Sequence, residues 1–121
     1  MSTASNKMIG DFSSKPKTLQ FFKSIEKYIN SLGSCEKTIK AQVSYSVKRK
    51  FLWLWAYEKT ADGTLYMTVC LDKKMNNPHF HYVAQVSTNR WNHHVVVKSR
   101  EIAESDWLKQ LMRAGFEFAN K

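Results

Sequence analysis

Between Phe51 and Tyr57 the chain reads Phe-Leu-Trp-Leu-Trp-Ala-Tyr, apolar at every position. As an extended strand it sets Phe51, Trp53, Trp55 and Tyr57 on one face and Leu52, Leu54 and Ala56 on the other. A strand apolar on both faces is either central and covered on both sides, or keeps one aromatic face open for binding. Whatever this chain folds into must therefore contain a sheet built around residues 51–57.

The neighbours of that run are short and turn-bounded. Glu58 to Gly63, ending in Asp62-Gly63, reads as a hairpin connection to a partner strand, Thr64 to Leu71. That strand alternates Leu65, Met67 and Val69 against Tyr66, Thr68 and Cys70. Asn76-Asn77-Pro78 marks a turn, His79 to Val86 a short extended piece, Ser87-Thr88-Asn89 another turn, and Trp91 to Lys98 a last strand. Residues Glu36 to Val47 are ambiguous, with extended character broken near Lys40-Ala41-Gln42.

Two helices bracket these strands. Phe21, Phe22, Ile25, Tyr28, Ile29 and Leu32 recur at helical spacing over Thr18 to Leu32. Thr18 can cap that helix, and Gly33 can supply the left-handed residue that stops it. A second helix spans Ser105 to Ala119, with Trp107, Leu108, Leu111, Met112 and Phe118 as its apolar stripe. Gly115 stands at its point of closest approach, and Asp106 suits the helix dipole in its first turn. Residues 1–15 are polar and aperiodic and read as a flexible tail, leaving 16–121 as one domain. The expected fold is α+β: a two-layer sandwich with an antiparallel sheet of three to five short strands, flanked by an N-terminal and a C-terminal helix.

Composition narrows the setting. A chain of 121 residues can bury a core without staples, and its sixteen Phe, Tyr and Trp residues make that core aromatic. No apolar run approaches the roughly 20 residues of a membrane span, and the N-terminus lacks a signal-peptide stretch. Two cysteines imply no disulfide framework, so the expected compartment is the cytoplasm. Nineteen basic residues against ten acidic give a net charge of +9. The excess is concentrated: segments 37–57 and 73–100 hold ten Lys or Arg and no carboxylate. A tract of one sign lacks internal partners and marks a surface that meets something anionic, although lysines also serve solubility alone.

Several of these segments together resemble the bacterial family known as domain of unknown function 5655. The resemblance rests on Lys40-x-Gln42-Val43-x-Tyr45, on the basic run into Phe51-x-Trp53-x-Trp55, on Arg90-Trp91-Asn92-His93-His94 before a strand, and on Trp107-Leu108-x-x-Leu111-Met112. It covers roughly residues 17–119. The family often has Gly before that Arg where this chain has Asn89, a residue that tolerates a left-handed turn. The resemblance implies no established activity. Similar domains stand alone or are appended to larger, sometimes nuclease-like proteins, which tilts the reading toward an accessory or nucleic-acid-associated module.

The candidate chemistry is thin on the catalytic side. His79 and His81 would share a strand face, whereas the adjacent His93 and His94 must point to opposite sides. No Cys pair or Glu completes a zinc spacing, so neither metal nor other cofactor is assigned. There is no Gly-x-Ser-x-Gly elbow and no Gly-rich phosphate loop, and the basic half of the chain lacks paired carboxylates. Cys35 and Cys70 read as inert thiols. These absences argue against an enzyme.

The better candidate combines cations with rings. Lys48-Arg49-Lys50 precedes the aromatic ladder of Trp53 and Trp55, Lys40 lies just upstream, and Arg90-Trp91 adjoins His93 and His94. Cations neutralise phosphates while rings stack on bases, which suits single-stranded or irregular nucleic acid. Tryptophans at strand spacing are nevertheless more often core than platform. The expected function is a non-catalytic binding module with a basic, aromatic-rimmed cleft for an anionic partner, nucleic acid first, and no membrane. The alternative is a small-ligand or protein-interaction domain with a pocket near Arg90, Trp91 and His93.

Overall fold

The computed structural model describes residues 14–57 and 59–121. The element order is α1 (Pro16–Leu32), β1 (Glu36–Ile39), β2 (Val43–Ser46), β3 (Lys50–Trp55), β4 (Leu65–Leu71), β5 (Tyr82–Ser87), β6 (Arg90–Val97), α2 (Arg100–Ala103) and α3 (Asp106–Asn120). Most of the expected 1–15 tail lies outside the described residues; Lys15 is buried, and α1 begins directly after it at Pro16. No helix among the described residues is long and apolar enough to cross a membrane.

The fold is α+β, but its antiparallel sheet has six strands, in the order β1-β2-β3-β4-β6-β5, rather than three to five. The extra strands come from the ambiguous stretch 36–47, which folds as a hairpin around Lys40-Ala41-Gln42. A crossover loop, residues 72–81, carries the chain past β6 to the far edge, and the β5–β6 hairpin then returns into the gap beside β4. His79 and His81 belong to that loop and not to a strand. The Thr88-Asn89 turn also departs from expectation, because no non-glycine residue described has positive φ.

Alternation decides which side of the sheet is core. Leu65, Met67, Val69 and Leu71 of β4 point one way, level with Leu52 and Leu54 of β3 and with His93, Val95 and Val97 of β6. All of these are buried, beneath α1 and α3. A bulge between β2 and β3 adds Phe51 to the same side, where its ring meets Phe116 of α3 edge-on.

The helix ends differ from the simplest reading. Pro16 occupies the first turn of α1, where its missing N–H costs nothing, but Thr18 is not the cap. The Asp62 carboxylate accepts the backbone N–H groups of Lys17 (2.9 Å) and Thr18 (3.1 Å) from the β3–β4 loop. The Thr18 hydroxyl instead accepts the Gly63 N–H (2.9 Å), tying helix to hairpin. Gly33 ends α1 at φ 155°, ψ −173°, a region open essentially to glycine alone, and not in the left-handed helical region.

Gly115 lets α3 lie close on the sheet: a Cβ there would sit 2.6 Å from Val69 Cγ1 and 3.0 Å from Phe51 Cδ2. Gly115→Ala would gain about 1 kcal/mol of helix propensity, yet overpacking of this kind costs about 1–3 kcal/mol. The variant is expected to melt several degrees below the parent; an equal or higher Tm would mean the interface yields freely.

Candidate functional site

The side of the sheet opposite the helices carries an unusual set of residues. One row crosses all six strands in register: Thr38, Ser44, Trp53, Thr68, His94 and Tyr82. One pleat along, Trp55, Tyr66 and Val96 form a second row. Among the described residues no helix covers these rows, and Trp53, Trp55, Tyr66 and His94 are half-buried. Tyr57 (60% exposed) and Tyr82 (53%) end the aromatic path in solvent.

The rings are organised. Trp55 and Tyr66 stack with centroids 5.8 Å apart and planes 23° off parallel, and Tyr57 leans on Tyr66 at 5.5 Å. At the other side Tyr82 stacks on His94 at 4.2 Å. His94 Nδ1 is hydrogen-bonded to the Thr68 hydroxyl (2.8 Å), which fixes the orientation of the imidazole. Burial, and then His81 and His93, hold the His94 pKa below the usual imidazole value. Between the pairs lies a cleft of about 270 Å³ lined by Gln42, Trp53, Trp55, Thr68, Asn92 and His94. Two polar atoms around it, Trp55 Nε1 and Asn92 Oδ1, are buried without a hydrogen-bond partner among the described residues. Beyond Tyr66 a second cavity of about 570 Å³ opens at the end of the sheet.

The ten residues singled out from the sequence fall into different places. Trp53, Trp55 and His94 meet on the open face. Lys40 is exposed in the β1–β2 turn, its N–H bonded to the carbonyl of Gln42 (3.0 Å), and so stands at the cleft's rim. Lys48 and Arg49 lie in the β2–β3 turn and Lys50 opens β3, at the end of that strand remote from Trp55. Arg49 is structural: its guanidinium donates to the Phe118 carbonyl (2.7 Å) and lies over the Phe118 ring (4.9 Å), closing the C-terminal end of α3. Arg90 is exposed at the start of β6. Both Arg49 and Arg90 act on Cys70, lowering a thiol pKa that burial raises more strongly.

Trp91 and His93 belong to the helix side. Trp91 is opposite Leu71, and His93 is fully buried with both ring nitrogens in use. Alternation along β6 therefore separates Arg90 from these two, and the three do not line one pocket. Two cations of the basic segments are also neutralised: Lys37 by Glu26 (2.7 Å) and Arg100 by Glu104 (3.0 Å). What remains is an open face whose six strands carry a single carboxylate, Glu36.

Sequence reasoning missed Gln42, Tyr66, Thr68, Asn92, Tyr82, His81 and Lys98. Tyr66 and Thr68 were within reach, because the Asp62-Gly63 hairpin sets them opposite Trp55 and Trp53. Gln42 depends on the β1–β2 hairpin folding back beside β3, and the others on where β5 and β6 insert, which local pattern does not dictate. Chemically the face offers ring surfaces, amides and imidazoles. Among the described residues, no three His, Cys, Asp or Glu side chains group where a metal ion could sit. Burial pushes the Cys35 and Cys70 thiols up, away from the nucleophilic thiolate.

A family model described as a domain of unknown function (DUF5655) matches residues 9–119. The chain belongs to that family. The match embraces all six strands and both long helices, so the open aromatic face lies within the DUF5655 domain itself. No curated protein and no solved structure matches the chain.

Proposed function

We propose that this domain is a non-catalytic binding module that takes single-stranded nucleic acid on its uncovered sheet face. The observation that carries the reading is the aromatic path Tyr57–Tyr66–Trp55 and Tyr82–His94, left open by the helices on strands nearly free of carboxylates. Stacking on rings is indifferent to sequence because every base has a π-face, and it needs bases that are not already paired. Phosphates following such bases would run past Lys40 on one edge, Lys98 at one end and Arg90 at the other, none of which has a carboxylate partner among the described residues. The +9 net charge adds long-range attraction.

The test is fluorescence anisotropy with single- and double-stranded oligonucleotides over a salt series. Binding at about 50 mM salt in the micromolar range, weaker for duplex and falling steeply with salt, is the expected result. Absence of binding at that salt ends the reading.

A further inference from the structure

Beyond Tyr66 the open face runs into the cavity of about 570 Å³, whose polar lining is Thr60, Thr64, Tyr66, His79, His81 and Lys98. We propose that this cavity is a phosphate subsite and that, with the ring-walled cleft beside it, it takes one nucleotide: base in the cleft, phosphate in the cavity. The inference rests on the nucleic-acid reading above and names the chemical unit that reading would hold.

The geometry that points to it is the register. Thr68 and His94 line the cleft, and Tyr66 and Val96, two residues along the same strands, line the cavity. One pleat separates the floors of the two, roughly 7 Å along the strand, the scale of one nucleotide. The stacked pair of Trp55, on the cleft, and Tyr66, on the cavity, is the wall they share. The cavity's imidazole groups are held in place. His79 stacks on Trp107 at 4.7 Å, only 10° from parallel. The His81 backbone N–H donates to the His94 carbonyl (2.8 Å), extending the ladder so that its ring stands beside Tyr82. The described lining contains no carboxylate, and Asp62 of the adjoining loop is turned to the N-terminus of α1. Lys98 thus supplies a charge, and the imidazoles and hydroxyls supply donors, for an anion with several oxygens.

The experiment reads tryptophan fluorescence of the full chain during titration with adenosine, adenosine 5′-monophosphate, and 5′-phosphorylated and 5′-hydroxyl hexanucleotides. The monophosphate should bind about tenfold or more tighter than the nucleoside, the worth of a charge-assisted contact. Lys98→Ala and His81→Ala should each remove most of that gain, and inorganic phosphate should compete with the phosphorylated probes and not with adenosine. A phosphorylated hexanucleotide binding tighter than the monophosphate identifies a strand end as the source; the reverse order identifies a free nucleotide. Equal affinity for nucleoside and monophosphate, with the hexanucleotides bound whether phosphorylated or not, overturns the subsite and leaves the platform standing. Failure of every probe to bind overturns both.

Discussion

Replacing Trp53 and Trp55 together by alanine is expected to weaken single-stranded oligonucleotide binding by about thirty-fold or more, since each stacked base is worth about 1–3 kcal/mol. The two rings are half-buried on the helix-free side, so their loss removes platform more than core. The folding cost should be confined to the Trp55–Tyr66 stack and part of each ring's buried area, about 1–2 kcal/mol per residue. Trp91→Ala is the matched control. That ring lies on the helix side opposite Leu71, so its removal should lower Tm and leave affinity within about twofold once the protein is folded. Anisotropy and thermal melts on the three proteins decide the matter. Wild-type affinity in the double variant would place the partner elsewhere, whatever the stability data say.

Much of this architecture is legible from local pattern. The helical spacing of Phe21, Phe22, Ile25 and Ile29 identifies the buried face of α1, and alternation in 65–71 separates core from open side before any partner is known. The same rule sends His93 and His94 apart. A run apolar on both faces admitted two outcomes, and β3 takes the second: Leu52 and Leu54 enter the core while Trp53 and Trp55 form the open surface. What local pattern does not carry is anything decided across long separations. Arg49 reads as one of three cations in a row until Phe118, 69 residues later, offers it a carbonyl and a ring. Asp62 caps a helix that begins 46 positions earlier, so a search for a cap beside α1 finds Thr18 instead. The strand order has the same origin, because only tertiary packing puts β6 between β4 and β5. The basic tracts illustrate the limit for function. Charge counted along the chain could not tell that Lys37 and Arg100 are paired and that Arg49 is a cap.

His93 leads to the other large expected effect, a loss of stability in mild acid. Its Nε2 accepts the Met75 N–H (2.9 Å), and its Nδ1 lies 3.2 Å from the Trp91 carbonyl and 3.3 Å from that of Val69. That environment selects the neutral tautomer with its proton on Nδ1: a second proton on Nε2 would confront the Met75 N–H. Burial accordingly holds the His93 pKa below the usual imidazole value, more strongly than the two carbonyls raise it. Above about pH 6.5 the unfolded chain is also neutral at this position and stability is at its full value. Below it the unfolded chain takes up a proton that the native state refuses, and stability falls as pH drops toward the lowered native pKa, by up to about 1.4 kcal/mol per pH unit for this one group. His94, shifted in the same direction, adds to the slope. Denaturant midpoints measured from pH 7.5 to 5 should therefore decline. His93→Leu should flatten most of that decline, at a cost near neutrality of about 1–3 kcal/mol for leaving the Met75 N–H without its acceptor. His94→Gln should keep most of it. The Met75 contact also pins the crossover loop to the core beside Phe80, so hydrogen exchange in residues 72–81 should quicken in the His93 variant before the rest of the sheet does. A midpoint indifferent to pH in the parent protein, or a full slope surviving in His93→Leu, would assign the proton to some other group.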